Sequence, residues 1–202
     1  MLLAALGTVV FCEERADESD AASTELLAWA QGPVRWLLMP AEWRDLKKID
    51  EPAQAINFIE AFWRLRDPNS RTENNEYRSQ FAARVEAADQ LYTEEGVRGS
   101  LTDRGRALIL LGPPPHLRVG TEVGLVFKAG RRAGKRSTTR EIRVEVWRYP
   151  ESELPDKFVR VRRAADQDPT VELKFHLGRR GAQLAEGANS LILASRLALI
   201  QD

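Results

Sequence analysis

The sequence predicts an α+β fold in which helices come first and a mostly antiparallel sheet follows. Before residue 100, apolar residues recur at three- and four-residue steps, which is the period of a buried helix face. After residue 100, short or alternating apolar runs are separated by glycine and proline clusters, as in strands joined by turns. Because the two kinds of signal are segregated along the chain, we expect the N-terminal helices to pack on the sheet.

Length and composition predict a globular chain that folds without cross-links. The chain has 202 residues, of which 43% are hydrophobic and 7% aromatic, and a chain of this size buries roughly 70% of its unfolded surface. One cysteine and two histidines exclude a disulfide framework and the usual zinc clusters, so no metal or cofactor is predicted. We expect a single domain over 23–202, with a helical part at 23–96, a sheet part at 101–178 and a C-terminal helix at 188–200.

The N-terminal 22 residues allow two interpretations. Met1 to Phe11 is an apolar run ending at Cys12, and acidic residues follow at once. The run is too short to span a bilayer, which takes about 20 residues, and it lacks the positive leader of a signal peptide. Residues 1–22 are therefore either an export-signal remnant with an acidic leader, left by a start codon assigned too late, or an ordinary packed element. The first predicts a bacterial envelope or secreted protein, the second a cytoplasmic one.

Four helices are predicted in the first half, beginning at Thr24, Pro40, Pro52 and Thr72. The last runs from a Thr72 cap to Glu95, and Gly96 closes it. Its apolar face is the clearest in the chain and consists of Tyr77, Phe81, Val85, Ala88 and Tyr92.

Strands are predicted in the second half. The expected strands are Ala107–Leu111, Thr121–Phe127, Glu141–Tyr149, Phe158–Arg162 and Val171–His176, the last two as a hairpin. In Glu141–Tyr149 the alternation places Val144 and Val146 on one face and Glu145 and Trp147 on the other. A mostly apolar tail then predicts the C-terminal helix.

Five stretches, taken together and in order, resemble the GWxTD-domain family of bacterial proteins. They are Phe62–Pro68, Glu73–Arg84, Thr102–Arg106, Leu111–Pro114 and Glu145–Pro150, and the resemblance covers about residues 35–176. Gly99, Thr102 and Asp103 match the motif that names the family, whereas Ser100 stands at the tryptophan position. The resemblance implies an exported protein of the bacterial envelope and supplies no reaction, since the family has no assigned chemistry.

The segment from Thr102 to Arg106 is the first candidate site. An arginine beside an aspartate can form a bidentate clamp or bind a carboxylate or phosphate, so Thr102, Asp103, Arg104 and Arg106 are candidate binding residues. For catalysis Asp103 needs a partner, and Glu145 and His116 are the candidates. The favoured alternative is structural: a turn entering a strand, with the arginines paired to helix carboxylates.

Three further side chains have competing interpretations. His116 follows three prolines, which predicts an accessible loop histidine, and His176 is expected on the solvent face of a strand. Trp147 either packs under the helical layer, which we favour, or lies on an exposed face as a binding residue.

The stretch from Lys128 to Arg143 is strongly basic, with Glu141 as its single acid. Basic loops of this kind bind phosphates, and the anion-binding candidates are Lys128, Arg131, Arg132, Lys135 and Arg136. A phosphate loop is excluded because Ala129 replaces its first glycine and Arg136 its Ser or Thr. The absence of aromatic residues disfavours single-strand nucleic-acid binding, so a solvated loop is the favoured interpretation.

These features predict a non-catalytic interaction or structural module of an exported bacterial envelope protein. Its partner is expected to be another protein, bound through Thr102–Arg106 with Pro113–His116, and no transmembrane span is predicted. One alternative is a hydrolase-like enzyme that uses Asp103 and Glu145, with Arg104 or Arg106 binding an anionic group. A second is nucleic-acid or anion binding through the basic loop 128–143. The sequence leaves the oligomeric state open.

Overall fold

The computed structural model describes residues 23–128, 136–179 and 181–198. Seven helices and a four-stranded antiparallel sheet occur in this part of the chain, which confirms the α+β class. The helices are α1 (23–31), α2 (Pro40–Leu46), α3 (Pro52–Arg64), α4 (Glu76–Tyr92), α5 (Asp103–Leu111), α6 (Asp156–Ala164) and α7 (Ala188–Leu197). The strands are β1 (His116–Lys128), β2 (Arg136–Tyr149), β3 (Val171–Gly178) and β4 (Gly181–Glu186).

The described chain divides into two compact units, and the boundary falls inside α4. Residues 23–81 with Ala198 belong to one unit, and Ala82–Leu197 form the other. Helix α4 therefore contributes its first turns to one unit and its last turns to the other.

The first unit is built around a row of aromatic rings. Ring centroids are 5.1 Å apart for Trp29 and Phe62, 5.1 Å for Phe62 and Trp63, and 5.3 Å for Trp63 and Phe81. The first two pairs are edge-to-face, an arrangement that stabilises a core beyond its buried area, and the third is tilted. The helical spacing in α3 predicts a buried stripe of Ile56, Ile59, Phe62 and Trp63. Phe62 and Trp63 are buried, whereas Ile56 is 59% exposed.

A buried arginine lies against this row. Arg66 is 2% exposed and its guanidinium lies 3.6 Å from the centre of the Phe62 ring. It donates to both carboxylate oxygens of Glu42 at 2.9 Å and to the carbonyls of Phe62 and Leu37. This fork fixes α2 against the end of α3, since the guanidinium geometry matches a carboxylate bidentately.

The second unit has a sheet in the order β1-β2-β3-β4, with every neighbouring pair antiparallel. Trp147, Leu173 and Phe175 are fully buried on one face of it. The last turn of α4 covers this face, with the Tyr92 ring 5.4 Å from the Trp147 ring. Helix α5 contacts β4 and α7, and α6 contacts α7. The C-terminal helix is confirmed as α7.

Two predicted strands are wrong. Ala107–Leu111 belongs to α5 and Phe158–Arg162 to α6. A short apolar run has no period of its own, and Thr102 decides the first case by capping a helix: its Oγ1 accepts from the Gly105 amide at 3.1 Å. The predicted hairpin partner of Val171–His176 is therefore absent, and β3 pairs with β2 and β4 instead.

The sheet also begins and ends later than the sequence predicts. Its first strand starts at His116, because residues 99–111 form a 3₁₀ turn and α5. Its last strand, β4, lies beyond the predicted limit of residue 178. The sequence signal for β4 is weak, because its six residues carry few large apolar side chains.

Helix α4 begins at Glu76 and not at the predicted Thr72 cap. Asn75 caps it, since its Oδ1 accepts from the Arg78 amide at 2.8 Å. The Thr72 hydroxyl instead hydrogen-bonds the Asn69 carbonyl and the Glu76 side chain, within the turn before the helix.

Replacing Arg66 with Met tests the buried ion pair of the first unit. We expect R66M to lower the free energy of unfolding by about 3 kcal/mol or more, because the Glu42 carboxylate loses its counter-ion in a poorly hydrated position. The matched control is K48M, which removes the exposed ion pair with Asp45 and should change stability little. Urea denaturation of both variants gives the comparison. Equal small losses would contradict a structural role for Arg66.

Candidate functional site

The motif segment Gly99–Thr102 forms a 3₁₀ turn that caps α5. The Thr102 amide and hydroxyl both donate to the Gly99 carbonyl, at 3.1 and 2.8 Å, while the Thr102 hydroxyl oxygen accepts from the Gly105 amide. Thr102 is buried by this arrangement. The Thr102 side chain therefore has a structural role, since its hydroxyl holds the turn and caps α5, and it is not exposed to a partner.

Gly99 and Gly105 lie where another part of the backbone comes too close to leave room for a side chain. A Cβ on Gly99 would lie 1.9 Å from the Ala88 carbonyl oxygen, and a Cβ on Gly105 would lie 1.8 Å from the Gly99 carbonyl oxygen. No larger residue fits at either position without moving the backbone. The turn is thus pressed against α4 and the first turn of α5.

Ser100 is fully buried in this turn. Its amide donates to Asp89 Oδ1 of α4 at 2.7 Å, and Arg98 binds the other oxygen of Asp89. Partial burial raises the pKa of Asp89, but the Ser100 hydrogen bond and the Arg98 charge outweigh it and hold the pKa below its usual value. Asp89 thereby ties the motif turn to α4.

Asp103 and Glu94 bind the outer edge of β4. Asp103 Oδ2 accepts from the Leu184 amide at 2.7 Å, and Glu94 Oε1 accepts from the Ala182 amide at 2.9 Å. The two amides are two residues apart on one strand, so both point away from β3. Gly181 allows this approach, since a Cβ there would lie 1.6 Å from Glu94 Oε2. Asp103, the predicted catalytic candidate, therefore accepts a hydrogen bond from the backbone amide of Leu184.

Arg104 joins two carboxylates beneath the helical layer. Its Nη2 lies 3.0 Å from Glu94 Oε1 and its Nη1 lies 3.3 Å from Glu145 Oε2. Glu145 also accepts from Trp147 Nε1 at 2.5 Å. The side chains of Arg104 and Glu145 are 21% and 8% exposed. The favoured structural interpretation predicted arginines paired to helix carboxylates. Of the two carboxylates that Arg104 binds, Glu94 follows α4 and Glu145 belongs to β2.

Trp147 and Tyr92 enclose this ion pair. Trp147 is fully buried, so it packs under the helical layer as favoured and does not face a ligand. The Arg104 guanidinium lies 5.0 Å from the centre of the Tyr92 ring. Burial, together with the charge of Glu145, raises the pKa of the Tyr92 hydroxyl. The low polarity that raises this pKa also strengthens the attraction between Arg104 and its carboxylates.

The arrangement gives the paired-carboxylate hypothesis no support. That hypothesis needs Asp103 and Glu145 to face an open cleft. Glu145 is instead buried and neutralised by Arg104, and Asp103 accepts a backbone hydrogen bond. Arg106, on the same helix, is half-buried, which lowers the pKa of its guanidinium, and the charge of Asp103 opposes that shift.

His116 and His176 lie apart from this cluster. His116 is exposed, as predicted, but it is the first residue of β1 and does not lie in a loop. His176 Nε2 lies 2.9 Å from Glu122 Oε1, and Lys174 Nζ lies 3.2 Å from Glu122 Oε2 on the opposite face of the sheet from Trp147. Glu122 on β1 thus reaches across the valines of β2 to β3, a contact that the sequence does not reveal.

A cationic cleft lies where β2 extends past the end of β3. Arg143 pairs with Leu177 and β3 ends at Gly178, whereas β2 begins at Arg136, so β2 has no described neighbour on this side before Arg143. The cleft has a volume of about 1030 Å³. It is lined by Arg140, Glu141, Ile142, Arg143, His176, Leu177, Gly178, Arg179, Gly181 and Gln183.

Three exposed arginines dominate this cleft. Within the described part of the chain, Arg140, Arg143 and Arg179 make no ion pair. Arg140 and Arg143 belong to the predicted basic stretch, and Arg179 was not singled out by the sequence. Arg131, Arg132 and Lys135 lie outside the described residues, as do the side chains of Lys128 and Arg136 and the whole of Met1–Cys12.

The described residues include neither a metal-binding cluster nor a helix that could span a membrane. No three His, Cys, Asp or Glu side chains in residues 23–128, 136–179 and 181–198 are grouped so that they could hold a metal ion. Among the described helices, none combines the length and the apolar character needed to cross a bilayer.

No protein-family model, curated protein or solved structure matches the chain.

Replacing Arg104 tests the buried ion pair. We expect R104M to lower the free energy of unfolding by about 3 kcal/mol or more, because Glu94 and Glu145 both lose their counter-ion. R98M is the matched control, since Arg98 is 67% exposed in its pair with Asp89 and should contribute much less. Urea denaturation provides both values. A loss for R104M no larger than that for R98M would contradict the structural role.

The lowered pKa of Asp89 predicts an acid-dependent contribution to stability. A carboxylate whose pKa is lower in the folded chain stabilises it above the unfolded pKa of about 4, and the contribution disappears as pH falls through the folded value. The stability difference between the wild type and D89N should therefore be largest above about pH 5 and shrink below about pH 4. Urea titrations across this range measure it, with the exposed Glu73 variant E73Q as control. A difference that stays constant with pH would refute the prediction.

Proposed function

We propose that the chain is a non-catalytic interaction module that binds an acidic, extended segment of a partner protein in the cationic cleft. The observation that carries the proposal is that Arg140, Arg143 and Arg179 lie at a stretch of β2 that has no described neighbour on its β3 side. An extended peptide can hydrogen-bond such a free strand edge, and its side chains alternate toward the two faces.

The arginines suit this mode of binding because they flank the free edge. Arg140 and Arg143 are three residues apart on β2, so their side chains leave opposite faces of the strand, and Arg179 follows the end of β3. Acidic side chains on both faces of an added strand would each meet a guanidinium. The proposed binding surface is therefore the cationic cleft and not the predicted Thr102–Arg106 loop, whose threonine is buried.

The composition of the cleft favours a peptide over a nucleic acid. No Phe, Tyr or Trp is among the lining residues, and base stacking on such rings supplies much of the affinity for single strands. Export to the bacterial envelope is part of the proposal and rests on the apolar run Met1–Phe11 and on the resemblance to GWxTD-domain proteins.

Binding of an octaglutamate peptide tests the cleft. Labelled octaglutamate should bind the full chain at about 50 mM salt, and R140Q/R143Q/R179Q should weaken binding about tenfold or more, because each ion pair contributes up to about 1 kcal/mol. The matched control R71Q/R148Q/R196Q removes three exposed arginines elsewhere and should bind as the wild type does. Fluorescence anisotropy measures the affinities.

Two further probes separate the alternatives. An octaglutamine peptide should bind far more weakly than octaglutamate, since the arginines then have no charge to meet. Absence of octaglutamate binding, or equal loss in both triple variants, would refute the proposal. Tighter binding of an oligothymidine than of octaglutamate would replace it with the nucleic-acid alternative.

A further inference from the structure

The two edges of the sheet differ in whether they can accept another strand. An edge strand presents unpaired amides and carbonyls, and proteins usually block them. At β4 the amides of Ala182 and Leu184 are occupied by Glu94 and Asp103. In the described part of the chain β1 pairs only with β2, so its outer edge remains open along the strand.

The open edge is also apolar on one side. Leu117, Val119 and Val123 are 52%, 50% and 70% exposed and lie on the same face of β1, because their spacing is even. That face is the one that carries Trp147 on β2 and the helical layer. Exposed apolar side chains on an open edge are the usual mark of a pairing site, since natural edges otherwise carry charges or proline.

The residues of this edge are complementary to themselves. In an antiparallel pairing of two copies of β1 about Gly120, the opposed residues are Leu117 and Val123, Arg118 and Glu122, Val119 and Thr121, and Gly120 with itself. The pairing therefore places two apolar pairs, two β-branched pairs and two opposite-charge pairs across one two-fold axis. Each type of pair stabilises neighbouring strands.

The two helical layers also lie on the same face of the joined sheet when the two-fold axis is centred on another residue of β1, but those registers do not pair complementary residues. Moving the centre by one residue places Arg118 or Glu122 opposite a glycine, and centring on Arg118 or Glu122 opposes like charges. Gly120 suits the centre because it carries no side chain, so the two backbones can approach closely there.

We propose that two copies of this chain form a symmetric dimer by antiparallel pairing of β1 with β1 about Gly120. The four-stranded sheets then join into one sheet of eight strands. Both copies contribute the same strand edge, as a two-fold symmetric interface requires. Glu122 binds His176 and Lys174 on the β3 side, so the long Arg118 side chain of the second copy approaches the remaining lone pairs of its carboxylate from the β1 side. Arg118 is exposed and makes no ion pair with any described residue.

Charge reversal at Arg118 and Glu122 tests the register. Sedimentation of the wild type at up to about 100 µM should give a dimer, and R118E should raise its dissociation constant about tenfold or more, because both Arg118–Glu122 pairs become repulsive. E122R should do the same. The matched control R196E reverses an exposed arginine on α7 and should leave the dimer intact.

Mixing the two variants is the decisive measurement. A copy carrying R118E presents two acidic groups and a copy carrying E122R two basic ones, so an equimolar mixture should recover the dimer as a heterodimer. Circular dichroism checks that each variant is folded before mixing. A monomeric wild type at about 100 µM, unchanged dimerisation of R118E, or a mixture that stays monomeric would each overturn the proposal.

Discussion

The guanidinium of Arg104 is the contact on which the second unit depends. Glu94 and Glu145 are both poorly hydrated, and two such carboxylates are tolerated only when a cation lies between them. Because Glu94 follows α4, Arg104 belongs to α5 and Glu145 belongs to β2, one side chain fixes two helices against the sheet. Trp147 and Tyr92 exclude water from this contact and so strengthen it.

Residues of α5 and of the segment after α4 block one edge of the sheet and leave the other edge unpaired. Glu94 and Asp103 accept hydrogen bonds from the two β4 amides that point away from β3. Their carboxylates thus take the place of the carbonyls that a fifth strand would offer. The motif Thr-Asp therefore has a structural explanation: the threonine caps α5 and the aspartate closes β4. The free surfaces are the outer edge of β1 and the cationic cleft, and both proposed interactions use strand edges that the helices leave open.

Long periodic segments could be predicted from the sequence, and short ones could not. The apolar stripes of α3 and α4 and the alternation in β2 extend over enough residues to define a period. Ala107–Leu111 is a five-residue apolar run, and whether it forms a strand or a helix depends on the Thr102 cap that precedes it. Likewise Phe158–Arg162 contains two β-branched residues, yet lies in α6, where Phe158 and Val159 are buried and Val161 is exposed.

The sequence by itself determined the α+β class, the helical character of the first hundred residues, the packing preference of Trp147 and the self-complementary residues of β1. Each of these follows from spacing within a short segment. Only the tertiary structure decided that Arg104 binds Glu94 and Glu145, that Asp103 lies on a β4 amide, and that Arg179 joins Arg140 and Arg143 at one cleft. Those contacts join residues between 10 and 81 positions apart, and no local pattern records which distant groups the folded backbone brings within hydrogen-bond distance.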